Sequence, residues 1–178
     1  MFGKSGAHLC RKSQGIHEGI VQPYHESKSI STENTFEENK TDEQFLLSEL
    51  VRMTEKVAYE LRQDGKLAGC IAVKIRYPNF DTSSKQTSIS YTLRDDELIP
   101  VAIDLFHKLY IKGQPIRLLG VRLSELTSHV LQGSLFDEAD KKGDLYKAID
   151  AVKNKFGKTA LQKARTVRSP ERDNPSNG

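Results

Sequence analysis

Two different apolar periods follow one another between residues 41 and 77, and their succession constrains the fold more than any other feature. Phe45, Leu46, Leu50, Met53, Val57 and Leu61 recur at three- and four-residue steps, the spacing of one face of an α-helix. Thr41-Asp42-Glu43-Gln44 in front of them has the form of a capping box, with the Thr hydroxyl and the Gln amide exchanging hydrogen bonds with free backbone donors. Gly65 stands where a left-handed stop is wanted. From Cys70 to Tyr77 the period becomes two, with Ile71, Val73, Ile75 and Tyr77 on one face and Cys70, Ala72, Lys74 and Arg76 on the other. An amphipathic helix followed at once by a half-wet strand predicts a helix laid on one face of a sheet whose other face is open.

The flanking segments repeat this logic. Ser29 to Phe36, with Ile30 and Phe36 as its apolar members, reads as a first strand. Pro78-Asn79-Phe80-Asp81 punctuates the chain, and Thr87, Ile89 and Tyr91 then alternate with Ser88, Ser90 and Thr92 as the antiparallel partner of the preceding strand. Asp95-Asp96-Glu97 places negative charge at a helix start, Pro100 is tolerable in a first turn, and Ile99, Ile103, Phe106 and Tyr110 carry an apolar stripe to Gly113. Arg117 to Leu126 alternates again, with Leu119, Val121 and Leu123 on one side. The sum is an α+β fold, a β-α-β-β-α-β unit over residues 28–127 with an antiparallel-containing four-stranded sheet and two helices on one face. Residues 1–27 read as an arm with a helical turn around Ala7 to Lys12, and residues 128–143 as a linker. Residues 144–178 read as a short helix marked by Leu145, Ile149, Val152 and Phe156, with a tail of disorder-prone composition.

The 178 residues leave room for one ordinary domain and its arms. The most apolar stretch, Ile116 to Leu126, is broken by Arg117, Arg122 and Glu125, far short of the ~20 apolar residues of a membrane span. Met1 to Gly6 lacks the apolar centre of a signal peptide, and only Cys10 and Cys70 are available for cross-linking, so a reducing, cytoplasmic setting is expected. Net charge is +3, but residues 141–178 carry 10 basic against 4 acidic side chains. A basic tail suits a polyanionic partner, although solvated Lys-rich ends are common without one.

The open sheet face offers more specific chemistry. Lys74 and Arg76, Ser88 and Ser90, Arg117 and Arg122, and Ser29 and Ser31 supply cations and small hydroxyl donors, which suit phosphate oxygens. A merely solvated antiparallel face is the plainer alternative. No aromatic residues are arranged there for base stacking, so backbone contact with a duplex fits better than capture of single strands. Gly3-Lys4-Ser5 lacks the strand and first glycine of a phosphate loop, and Cys10, His17 and His25 complete no tetrahedral metal set. Neither cysteine has a spacing that recommends a nucleophilic site, and Asp95-Asp96-Glu97 reads as helix capping rather than metal binding. No catalytic or metal-binding residue is expected.

Lys28-Ser29-Ile30-Ser31-Thr32-Glu33-Asn34-Thr35-Phe36 resembles the KSIG-x-E-x-TF segment that opens the little finger of Y-family translesion DNA polymerases of the bacterial DNA polymerase IV (DinB) type. Ile116-Arg117-Leu118-Leu119-Gly120-Val121-Arg122-Leu123 resembles the strand that closes that domain, and the two bracket the expected β-α-β-β-α-β unit. Phe2-Gly3-Lys4-Ser5-Gly6, with Gly15-Ile16 and Val21-Gln22-Pro23, is similar to the end of the thumb domain and the linker after it. Gln132-Gly133-Ser134-Leu135-Phe136 is similar to the peptide by which bacterial polymerases bind the sliding clamp. There Gln132 would fill a polar subsite, Leu135 and Phe136 would fill an apolar one, and Gly133 replaces the usual Leu.

The resemblance implies a DNA-binding module that lies in the major groove of template-primer duplex and grips phosphates on either side during lesion bypass. It assigns that contact to Ser29, Ile30 and Ser31 on the first strand and to Arg117 and Arg122 on the last. Lys74, Arg76, Lys85, Ser88 and Ser90 join them from the wet face and its loop. Leu118 stands where relatives carry a second Arg, so one phosphate contact is lost. The chain would hold no cofactor: magnesium belongs to palm carboxylates that would lie upstream of Met1, so catalysis by this chain alone is not expected. Its partners would be duplex DNA, the sliding clamp and the palm, fingers and thumb of a parent polymerase, with no membrane, in a nucleoid-associated cytoplasmic setting. The alternatives are a free-standing protein-interaction adaptor of the same fold, and a subunit that acquires its palm in trans.

Overall fold

The structure, a computed structural model, describes residues 3–16, 27–128, 139–157 and 160–161. Its elements run α1 (Gly3–Ser13), β1 (Ser29–Lys40), α2 (Glu43–Gln63), β2 (Lys66–Arg76), β3 (Thr82–Thr92), α3 (Asp95–Leu109), β4 (Ile116–Ser128) and α4 (Ala139–Phe156). The four strands form one sheet in the order β1-β4-β2-β3, and all three pairings are antiparallel. The two crossovers, β1-α2-β2 and β3-α3-β4, interleave so that the last strand lies between the first and second. This is the expected α+β arrangement.

The core lies between the sheet and α2 and α3. Ile71, Val73, Ile75, Leu119, Val121 and Leu123 point from the central strands into Leu46, Leu50, Val57 and Leu61 of α2 and Leu98, Leu105 and Phe106 of α3. Burying a side chain of this size stabilises by about 1.5–3 kcal/mol, so these positions dominate the fold. On α3 the fully buried members are Leu98, Ala102, Leu105 and Phe106. Of the expected stripe only Phe106 is among them, with Ile99, Ile103 and Tyr110 half-buried at its border. Pro100 lies beyond the first turn, because the helix begins at Asp95.

Local signals are shifted in three places. Asp42, not Thr41, caps α2: its Oδ1 accepts from Gln44 N at 2.9 Å and Phe45 N at 3.4 Å. The edge strands β1 and β3 outrun the apolar pattern, reaching Lys40 and starting at Thr82, because edge pairing is held by backbone hydrogen bonds and asks little of the side chains. α4 begins at Ala139 and docks through a polar face rather than the expected apolar one. Tyr146 and Asp150 are buried, whereas Leu145 and Phe156 are 56% and 67% exposed.

The docking is built from hydrogen bonds. Arg62 Nε and Nη2 donate to the two carboxylate oxygens of Asp150 at 2.7 and 3.0 Å, and Nη1 donates to Leu93 O at 3.1 Å. The Tyr146 ring lies under the Arg62 guanidinium at 4.8 Å, and Tyr59 OH donates to Asn154. The Tyr146 hydroxyl sits 2.5 Å from Asp95 Oδ1 and 2.8 Å from Asp96 Oδ1. Burial, and then these two carboxylates, push the Tyr146 phenol well above its ordinary range. Arg94 takes the rest of Asp96 and reaches Glu97, so the acidic start of α3 is consumed by structural contacts.

Candidate nucleic-acid interface

Cross-strand neighbours share a face, so the register builds the open side of the sheet row by row. Ser29, Ser124, Cys70 and Ser88 form one row, and Ser31, Arg122, Ala72 and Gln86 the next. Glu33, Gly120, Lys74 and Ser84 follow, then Thr35, Leu118, Arg76 and Thr82. Small side chains dominate, and a shallow concavity runs over Ser31, Glu33, Lys74, Gln86, Gly120 and Arg122. A rod of phosphates can approach such a surface closely. The edge strands add a second resource, since every other residue of β1 and β3 turns its N–H away from the sheet.

The three cations of this face differ in their engagement. Lys74 Nζ donates to Glu33 Oε1 at 2.9 Å, and Arg76 Nε donates to Thr82 Oγ1 at 2.8 Å. Arg122 is exposed and has no ion-pair partner among the described residues. It is therefore the cation most available to an incoming anion.

Of the residues expected at the site, Ser29, Ser31, Lys74, Arg76, Ser88 and Arg122 come together on the open face. Ile30 sends its side chain into the core, leaving only its backbone for a ligand. Ser90 is exposed where β3 takes four steps, from Ser88 to Thr92, against the two steps from Cys70 to Ala68 of β2. Lys85 pairs with Val73, which puts it on the helix side of the edge strand, exposed. Arg117 shares the parity of Leu119 and stands at the end of the sheet with its guanidinium 4.9 Å from the Phe80 ring centroid. The clamp-like residues Gln132, Leu135 and Phe136 lie outside the described residues.

Gly120 lies on this face beside Arg122, as the alternation of the last strand predicts, and Glu33 and Gln86 complete the face without having been expected there. Glu33 was within reach of sequence reasoning, since it stands two residues from Ser31 and so shares its side of β1. Gln86 shares the parity of Ser88 but precedes the expected strand, and joins the face because β3 already starts at Thr82. No group of three or more His, Cys, Asp or Glu among the described residues is arranged to hold a metal ion. No helix among the described residues is long and apolar enough to cross a membrane.

Residues 27–135 match the impB/mucB/samB family C-terminal domain, which spans the whole sheet and both covering helices. A protein of Methanoculleus marisnigri named DNA polymerase IV is 34% identical over 137 residues, 77% of this chain and 38% of that protein. Its namesake in Streptococcus pneumoniae serotype 2 is 35% identical over 69% of this chain and 35% of its own length. That of Dehalococcoides mccartyi CBDB1 is 29% identical over 94% of this chain and 43% of its own length. The chain thus spans about two fifths of the relatives it matches. Family match, relatives and sheet topology agree, and the chain belongs to the impB/mucB/samB family through its C-terminal domain, the little finger of Y-family DNA polymerases.

Proposed function

We propose that this domain grips the sugar-phosphate backbone of template-primer duplex for a translesion DNA polymerase, with the open sheet face turned to the major groove. The observation that carries the reading is the row Ser31–Arg122–Ala72–Gln86, where an unengaged guanidinium stands among small polar side chains at the centre of a shallow concavity. Arg gives charge and a fixed donor fork that matches a phosphate, and the serines approach phosphate closely. Contacts made to phosphate carry no sequence information, so a grip of this kind is indifferent to sequence, as a polymerase that must pass damaged positions requires. Magnesium chemistry falls to palm carboxylates outside this domain, and the engaged state of Asp95, Asp96 and Glu97 does not suit the ion here. On this reading the protein acts at the nucleoid, in the cytoplasm, in DNA repair.

The proposal extends to the clamp. Gln132, Leu135 and Phe136 follow the domain closely in sequence and present the polar and apolar anchors a clamp pocket takes. Duplex binding measured across a salt series tests the first part. Arg122→Ala should weaken binding for every sequence and flatten the log–log salt slope by about one unit, the share of one lost phosphate contact. An unchanged slope would sink the reading and favour a protein-interaction adaptor. Phe136→Ala should abolish clamp binding and leave DNA binding intact.

A further inference from the structure

Glu33 and Lys74 belong to strands that do not touch. β1 and β2 are separated by β4, and both residues stand in register with the same position of it, Gly120. At about 4.8 Å per strand spacing their backbones lie roughly 10 Å apart, so the side chains meet only by lying flat across β4. They do meet, with Lys74 Nζ 2.9 Å from Glu33 Oε1. Gly120 makes this possible: a Cβ there would fall 2.9 Å from Glu33 Cγ and 3.6 Å from Lys74 Cβ. The ion pair therefore lies on the floor of the concave face, in the row next to Ser31 and Arg122.

The geometry points to Glu33 as a built-in competitor for the DNA backbone, a carboxylate that stands in for phosphate on Lys74 and limits how tightly this face binds. The inference rests on the phosphate-gripping reading above. Both side chains are partly exposed, 44% for Glu33 and 33% for Lys74, so the pair is weak enough to exchange. A phosphate that takes Lys74 leaves the Glu33 carboxylate beside it without its cation, and that repulsion offsets part of the gain. The consequence is a grip that releases readily, which suits a domain that must slide with a moving primer end.

Fluorescence anisotropy of the 178-residue chain on a primer-template duplex, across a salt series, tests the idea with five variants. Glu33→Gln keeps the shape over Gly120 and removes the charge; it should tighten binding by about three- to tenfold and steepen the salt slope by about one unit. The same substitution made together with Lys74→Ala should gain less than about twofold over Lys74→Ala alone, because the competition has lost its object. Gly120→Ala, which drives Glu33 off Lys74, should tighten binding in the same direction. A full gain in the Lys74→Ala background would mean that Glu33 acts only by general repulsion, and weakened or unchanged binding in Glu33→Gln would mean that it does not compete; either overturns the inference. Arg122→Ala separates the two failures: if it weakens binding while Glu33→Gln changes nothing, only the competitor role falls, whereas no loss in Arg122→Ala removes the DNA-gripping reading itself.

Discussion

Arg117 lies over the ring of Phe80, with the guanidinium carbon 4.9 Å from the centroid, and the ring is held there by a backbone conformation that aromatic residues rarely adopt. Phe80 has φ +68° and ends the turn Tyr77-Pro78-Asn79-Phe80, closed by Phe80 N donating to Tyr77 O at 3.0 Å. In a three-residue hairpin loop that left-handed position normally belongs to Gly. Phe80 is also 64% exposed, so its burial does not compensate the strain.

The first prediction follows from these opposed terms. Phe80→Ala keeps the left-handed strain and loses the stacking, whereas Phe80→Gly loses the stacking and relieves the strain. Chemical denaturation should therefore find the Gly variant more stable than the Ala variant by about 1 kcal/mol. Equal stabilities would show that the turn carries no strain.

The start of α2 provides the second prediction. Both Thr41 and Asp42 are competent caps in sequence, and only the structure separates them, through the two amides that Asp42 Oδ1 accepts. Asp42→Ala should cost about 1 kcal/mol, while Thr41→Ala, whose backbone carbonyl alone is used by Tyr110 OH, should be close to neutral. Urea denaturation of the two variants side by side decides it; a larger loss at Thr41 would restore the capping box.

What the sequence made legible is what apolar periodicity controls. Ile71, Val73 and Ile75 can alternate in only one useful way, and the buried face of α2 follows from Leu46, Leu50, Val57 and Leu61 in the same manner. Features held by polar contacts escaped. Tyr146, Asp150 and Asn154 dock α4 at four-residue steps, but nothing in their chemistry distinguishes them in sequence from a solvated face. The functional face was half legible: parity located Lys74, Arg76 and Arg122. Their availability depends on Glu33 and Thr82, which are brought alongside Lys74 and Arg76 by register alone. Arg117 went astray because alternation places it with Leu119, while composition groups it with the other cations.

The third prediction concerns the ion pair that fastens α4. The side chains of Arg62 and Asp150 are 7% and 11% exposed, so removing one charge would leave the other buried without its partner. Undocking relieves that penalty more readily than global unfolding does. Asp150→Ala should therefore release α4 while the sheet domain stays folded. Amide hydrogen exchange should show protection lost over residues 144–156 and retained in β2 and β4. Loss of protection throughout would make α4 integral to the core.

Tyr146 gives α4 a dependence on pH whose sign can be worked out. Its phenol has a folded-state value raised above the ordinary 10 by burial and by the carboxylates of Asp95 and Asp96, so the folded state holds the proton more tightly than the unfolded chain. The stability this contributes is fully present below about pH 10 and is lost as pH rises beyond it, because the unfolded chain releases the proton first. Tyr146→Phe removes both the hydrogen bond and the proton. At pH 7 it should cost about 1–2 kcal/mol of α4 docking, since Asp95 and Asp96 each lose the hydrogen bond of the phenol. Between pH 10 and 11.5 the difference between variant and parent should shrink as the parent loses stability. Hydrogen-exchange protection of residues 144–156, measured for both proteins at pH 7 and compared with proteolytic susceptibility of the same segment at the alkaline points, checks this. A gap that stays constant with pH would mean that the Tyr146 hydroxyl does not hold its proton against the two carboxylates.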